Sequence, residues 1–421
     1  MNRSYHHRSA LVPAALVLLA GASSSRATTW NVLPDGTGDF ATIQAAIDAA
    51  TDGDVIELAN GTFTGVGNRD IDFLGKAITI RSVSGNPETC VVDAEYAHGG
   101  GGECNVRGFI FRTGEDSDSV LDGVTITRAS GDGCPVVGID ELGGTAIAID
   151  GASPIVRNVV VTECTGDVGG VQVVGVFEGD PTFENCVVRQ SAGIALALVQ
   201  SSATVTGCLI EANGTWLSSG AAVFISGGAP RLASTAIVRN GHGGFLQGPF
   251  FGGGVFAGGS ASFEGCLIAE NGTQGTGGGV YSTGNTTITR TTIAGNRAAI
   301  GGGLVVASGT CTVTQSVIGA NCSSSEGPDI YAIGNVFIDC SAVNPAAATG
   351  LVNWGTTIVA DDPLFCEPRT CIGTDPGLYS LQLLSPARDV PGCGTLGALY
   401  GVCTVSVAPM SWGRVKEMYR N

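Results

Sequence analysis

Apolar residues alternate with polar ones inside short runs along this chain, and the runs themselves recur every twenty to thirty-odd residues. The apolar residue three places before a position held in most copies by Cys, Thr or Ser marks each recurrence. It falls at Leu121, Val156, Phe183, Val205, Leu232, Phe263, Ile288, Val313 and Ile338, with spacings of 35, 27, 22, 27, 31, 25, 25 and 25. From position 251 three copies follow one another as FGGGVFAGGSASFEGCLIAENG, TGGGVYSTGNTTITRTTIAGN and IGGGLVVASGTCTVTQSVIGAN. Each holds a glycine cluster, an apolar run, a turn, an alternating strand and an asparagine. A strand period of two inside a repeat of this length predicts a solenoid whose unit is one coil of β-strand. About eleven or twelve coils are expected. Regular coils are placed over 106–345, preceded by a cap and first coils over 28–105 and followed by a Cys-rich closing segment over 346–403 and a tail over 404–421.

The alternation also orients side chains. Val223, Val255, Val280 and Leu304 should face the core, which puts Phe224, Phe256, Tyr281 and Val305 in an outward column. Trp216 lies in the loop that enters this strand one coil earlier, and the longest such loop, 241–251, holds Phe245, Phe250 and Phe251. An aromatic column at the coil repeat is a candidate surface for stacking on sugar rings. The competing reading folds the long loop over the column and buries it. Asn213, Asn240, Asn271, Asn296 and Asn321 each sit five residues after the Cys/Thr/Ser position. In-register coils would stack these amides into a hydrogen-bonded ladder at one turn, in the left-handed conformation that Asn tolerates. Asn213 and Asn271 also begin glycosylation sequons, which the turn chemistry already explains.

Near the start, VLPDGTGDFATIQAAIDAA (residues 32–50) places Ile43, Ala46, Ile47 and Ala50 on one helical face, with Asp39 as a candidate N-cap. A short helix here would plug the open end of the first coil. The words D-G-x-G-D-F-x-T-I-Q-x-A-I resemble the N-terminus of pectinesterases and, more broadly, of pectin-lyase-like right-handed β-helix proteins. The resemblance implies an all-β fold, a single-stranded right-handed parallel β-helix with an N-terminal capping helix. The later words DDPLFC and SPARD resemble the closing segment of secreted bacterial β-helix repeat proteins.

The family's chemistry does not follow its cap. Pectinesterases place two Asp and an Arg in words of the kinds Q-D-T-L, D-F-I-F-G and L-G-R-P-W, and none occurs after Ala50. Gly241-His242-Gly243 matches the G-H-G of polygalacturonases, but their N-T-D partner is missing and Asp361-Asp362 lies in the closing segment. The only lysines are Lys76 and Lys416, so no lysine base is available within the coils. Arg189 with Glu211, and Arg239 with Glu270, fall in outward columns on adjacent coils and read as cross-strand ion pairs; together with His242 they are the candidates for an unrecognised catalytic site. Exposed pairs of this kind contribute about 0–1 kcal/mol and usually belong to a solvated face. Glu115, Asp116 and Asp118 lack a calcium-loop pattern, so calcium has no motif behind it, and no other cofactor or metal is implied.

Composition narrows the setting. Of 421 residues 66 are Gly and only 14% are charged, with a net charge of −17, which disfavours nucleic acid and anionic membrane as partners. Arg3 and Arg8 ahead of the apolar run Ala10–Ala20, with small residues after it, read as a signal peptide over 1–27, which implies secretion or surface display. Fourteen cysteines in an exported chain imply disulfides. Cys186, Cys208 and Cys266 occupy the repeat position and read as buried thiols, whereas Cys90, Cys104, Cys134, Cys366, Cys371, Cys393 and Cys403 lie in irregular segments suited to cross-links. The combined reading is a monomeric, non-enzymatic β-helix acting by adhesion or contact with a polysaccharide or cell-surface glycan. The alternative is a polysaccharide lyase or glycoside hydrolase.

Overall fold

The computed structural model describes residues 26–96, 106–131, 144–165, 172–214, 221–241, 251–368 and 377–398. They form a right-handed parallel β-helix with three strands per coil. Strands such as Val223–Ser226, Val255–Ala257 and Val280–Ser282 build the first face. Strands such as Arg231–Ala233, Ser262–Glu264 and Thr286–Thr289 build the second, and Ala236–Val238, Leu267–Ala269 and Thr292–Ala294 the third. Pairing between coils is parallel throughout, and the third face alone runs to 12 strands. Faces one and two fuse near the end, where Ile330–Asp339 serves both as one continuous strand.

The repeat markers stack as the periodicity predicts. Leu121, Val156, Phe183, Val205, Leu232, Phe263, Ile288, Val313 and Ile338 are cross-strand neighbours on successive coils, all buried. Val223, Val255, Val280 and Leu304 line the same core from the first face. Burying one such side chain per strand removes each from water for about 1.5–3 kcal/mol.

Two side-chain ladders bracket the third face. At its entry Cys186, Cys208, Thr235, Cys266, Thr291, Ser316 and Ser341 follow one another. The Thr291 N–H donates to Ser316 Oγ at 3.1 Å and the Ser316 N–H to Ser341 Oγ at 3.2 Å. The three cysteines are free and buried, and burial pushes the Cys266 thiol up to about 12. Cys90 is also a buried free thiol, against its expected cross-link, because it opens a third-face strand and points into the core. At the exit stand Asn213, Asn240, Asn271, Asn296 and Asn321. Each donates its Nδ2–H to the Oδ1 of the next coil, as Asn240 does to Asn271 at 3.1 Å and Asn271 to Asn296 at 3.1 Å. The left-handed residue is the one before each Asn rather than the Asn itself; Ala212, Arg239 and Glu270 take φ of 52°, 58° and 57°.

The ladder accounts for the glycine clusters. A Cβ on Gly254 would lie 2.9 Å from Asn271 Nδ2, and one on Gly279 would lie 2.9 Å from Asn296 Nδ2. Both would also lie within 2.7 Å of a carbonyl on the next coil, so neither position admits a side chain.

Helix Ile43–Ala49 packs Ile43, Ala46 and Ile47 on the first coil. Its N-cap is Thr42, whose hydroxyl accepts from the Ala45 N–H at 3.2 Å. Asp39, the expected cap, instead accepts from the Asn31 N–H at 2.7 Å, because its segment runs back along the first strand. The far end of the helix is held by Lys76, whose ammonium donates to the carbonyls of Ile47, Asp48 and Ala50 at 2.5, 3.0 and 2.8 Å. Three charge-assisted bonds to carbonyls at the helix end, where Ile47 also accepts from the Ala50 N–H at 3.1 Å, predict that Lys76→Met costs about 1–3 kcal/mol. Urea unfolding followed by circular dichroism checks this; an unchanged midpoint would mean that the helix end is satisfied by water.

The last coil is Ala348–Trp354 with Ile358–Val359. The chain then turns back. Residues 363–368 and 377–398 lie along the outside of the third face, where Phe365, Tyr379, Leu381, Val390 and Leu396 cover an apolar outer column that includes Leu267, Val317 and Ala342. The Cys340–Cys393 disulfide and bonds from the Gly397 N–H to the Gln315 carbonyl (2.8 Å) and from the Ala398 N–H to Thr292 Oγ1 (3.0 Å) hold it there. Cys322 and Cys366 are also disulfide-bonded.

Candidate functional site

Phe224, Phe256 and Tyr281 are cross-strand neighbours at the centre of first-face strands, one residue after the inward Val of each. The pleat turns them outward. Their rings stack along the solenoid, with centroids 5.1 Å apart at 14° for Phe224 and Phe256, and 5.7 Å apart at 21° for Phe256 and Tyr281. Phe251 lies beside Tyr281 at 4.5 Å and 32°. All four are half-buried, so the column is neither fully covered nor fully open. Partial burial raises the Tyr281 phenol above its ordinary value.

The column has definite ends. Ala197 precedes Phe224 and Val305 follows Tyr281, and both are buried although they point outward. The strip of accessible rings is therefore three coils long. Its faces are largely used against one another, so what it offers outward is a row of ring edges at the coil spacing of about 4.8 Å. Trp216 and His242 lie outside the described residues.

The charged candidates assemble differently from the columns in which they stand. Arg189 and Glu211 are register partners, but Glu211 pairs with Arg239 at 2.5 Å and Arg189 reaches Glu88 at 3.9 Å. Glu270 does not meet Arg239. It is buried at 7% exposure under the returning segment, where it accepts a hydrogen bond from the Gly377 N–H. Left-handed backbone at Arg239 and Glu270 redirects both side chains out of the strand columns, which the period-two reading could not register. Among the described residues these four are divided among separate contacts. Among the described residues no group of three or more His, Cys, Asp or Glu is placed to hold a metal ion.

One further charge cluster appears on the second face. Glu264 is held between Arg231, at 2.5 Å, and Arg290. The Arg231 guanidinium foremost, with Arg290, keeps its carboxyl below the usual carboxylate range. An acid that is ionised at neutral pH and has both oxygens engaged is a poor proton donor or acceptor there. On the N-terminal half of the same face Glu57, Arg81, Asp122, Arg157 and Glu184 alternate in sign on successive coils. Arg81 bonds Glu57 at 2.6 Å and Arg157 bonds Asp122 at 2.9 Å. These charges largely neutralise one another along the axis.

No family model matches this sequence, and no curated protein matches it. Among solved structures the chain is similar to pectate lyase Pel9A, at 17% identity and a TM-score of 0.45 over 89% of this chain and 96% of that one. It is also similar to a pectin methylesterase from carrot, at 12% identity and a TM-score of 0.37 over 80% and 90% of the two chains. A third likeness is to the A-module of the Azotobacter vinelandii mannuronan C-5 epimerase AlgE4, at 12% and 0.37 over 74% and 86%. No helix among the described residues is long and apolar enough to cross a membrane.

Proposed function

We propose that this protein is a secreted or surface-displayed, non-enzymatic β-helix that contacts polysaccharide through the strip Phe224, Phe256 and Tyr281. The observation that carries the reading is the half-exposure of three stacked aromatic rings at the coil repeat on an outer face. A polymer laid along the axis would bury apolar surface against the row of ring edges and bring its ring and hydroxyl oxygens to their C–H rims, with the Tyr281 hydroxyl available for a hydrogen bond at one end. The charged residues support the non-catalytic half of the reading. Glu211 is paired with Arg239, Arg189 with Glu88, and Glu270 lies beneath the returning segment.

The test is retention of the purified protein on acidic and neutral polysaccharides, with and without calcium, alongside an assay for new reducing or unsaturated ends. Retention without new ends is expected, falling at least tenfold for Phe256→Ala, a substitution that empties the middle of the strip and leaves the core strand residues in place. New chain ends would replace this reading with a lyase or hydrolase. Retention unchanged in Phe256→Ala would place the contact elsewhere.

A further inference from the structure

The two ends of the solenoid are finished differently. Helix Ile43–Ala49 packs against the first coil, whereas the described returning segment lies along the side of the last coils, not across their end. The final strand of the fused first and second faces, Ala348–Trp354, pairs only with Ile330–Asp339 among the described residues. Its other edge presents a row of backbone donors and acceptors. At seven residues it is longer than most strands of these faces, and its sequence ATGLVNW has neither charge nor proline. Exposed strand edges are ordinarily blunted by charge, proline, brevity or a bulge. This one has no charge, proline or brevity; its one irregularity is at Gly350, at φ 99°, beside a register shift between Ala332 and Val336 of the preceding strand. Large apolar side chains gather around it as well: Ile333, Phe337, Leu351 and Trp354 are 59%, 47%, 58% and 37% exposed.

We propose that this edge pairs with the same edge of a second copy, joining two solenoids tail to tail in an antiparallel, two-fold ladder centred on Leu351. Self-complementarity selects the occupant. A two-fold through Leu351 sets Ala348 opposite Trp354 of the other copy, and Gly350 opposite Val352. These four positions follow the inward line of Ile330, Ala332, Val336 and Ile338 on the preceding coil. Each large inward residue thus meets a small one, and directly opposed residues in an antiparallel pair share a face. The two apolar cores become one. The strand's lack of charge matters too, since each copy carries −17 in all and this edge is a place where two copies approach without opposing ionised side chains in the new ladder.

The joint is small. A coil of 25 residues encloses about 500 Å² at most, so the pair buries about 1,000 Å² in total, near the lower limit for a specific association. The expected assembly is a reversible dimer, tighter at higher salt as repulsion between the two acidic chains is screened.

Sedimentation equilibrium on the full chain across a hundredfold concentration range tests this. A monomer–dimer equilibrium is expected, strengthened by salt. It is abolished by Leu351→Lys, which puts two like charges face to face, with the circular dichroism of the monomer unchanged. Leu351→Cys should give a covalent dimer on mild oxidation, while Leu383→Cys, more exposed still on the returning segment, should not. A full chain that stays monomeric throughout overturns the proposal. So does a chain that dimerises only after residues 399–421 are removed, since its own C-terminal residues would then be the occupant. Dimers indifferent to Leu351→Lys would place the joint elsewhere and equally overturn it.

Discussion

Replacing Asn271 with alanine is expected to cost about 4 kcal/mol, more than removing any single surface ion pair in the molecule. The amide of Asn271 accepts from the Asn240 N–H at 3.0 Å and from Asn240 Nδ2 at 3.1 Å, and donates to the Ile237 carbonyl at 2.8 Å and to Asn296 Oδ1 at 3.1 Å. Every one of these groups is buried. Alanine leaves two donors on the coil before and a carbonyl without partners in a region closed to water, at about 1–3 kcal/mol each. Asn271→Asp is expected to be as harmful at neutral pH, since it lacks the amide donors and turns a carboxylate toward the Asn296 oxygen. Denaturant unfolding is the check, read at more than one wavelength because a solenoid need not unfold in one step. A loss below about 1 kcal/mol for both variants would mean that the ladder relaxes into alternative bonds.

Lowering the pH from 7 to 4.5 is expected to stabilise the C-terminal coils through Asp329. This carboxyl ends the amide ladder, accepting from the Asn321 N–H at 3.2 Å and from Asn321 Nδ2 at 3.0 Å. Burial pushes its pKa up from 3.8 to about 6 in spite of those bonds. The folded state therefore holds the proton more tightly than the unfolded chain. The contribution of this group is fully present below pH 3.8 and is lost as pH rises to 6, a swing of about 3 kcal/mol across that window. Asp329→Asn keeps an oxygen for Asn321 and removes the charge. It should be more stable than the parent at pH 8 and flatten the dependence between pH 4 and 6. If parent and variant showed the same pH profile, the carboxyl would be ionised in the fold and some other group would carry any slope.

Much of this architecture is legible in the chain because a solenoid repeats its own physics. The apolar marker, the Cys/Thr/Ser position and the Asn position are all set by contacts with the same position one coil away, so spacing alone reveals them. The aromatic column follows from the same alternation. Its depth of burial does not, because exposure depends on what lies over a face and not on which face a residue takes. The ion pairs escaped for another reason. Arg239 and Glu270 stand on left-handed turn residues, and a strand-based register assigns them the wrong direction. The returning segment also has a signal in the sequence. Third-face strands such as Leu267–Ala269 and Val317–Gly319 are apolar at outward as well as inward positions. A face that is apolar on both sides calls for a cover, and residues 363–368 and 377–398 supply it.

That cover also decides how the molecule would bear tension. A chain of coils stacked only on its neighbours would peel one turn at a time when pulled by its ends. Here a pull on the C-terminal side reaches Ala398 beside Thr292, several coils before the last. What the bonds at Thr292 and Gln315 do not resist passes through Cys393 to Cys340. Load that reaches Cys393 crosses directly to Cys340 and bypasses the backbone of the final coil, Ala348–Trp354. The end that looks most open to attack is thus tied back to coils before it, whereas no disulfide is seen among the described residues of the N-terminal coils.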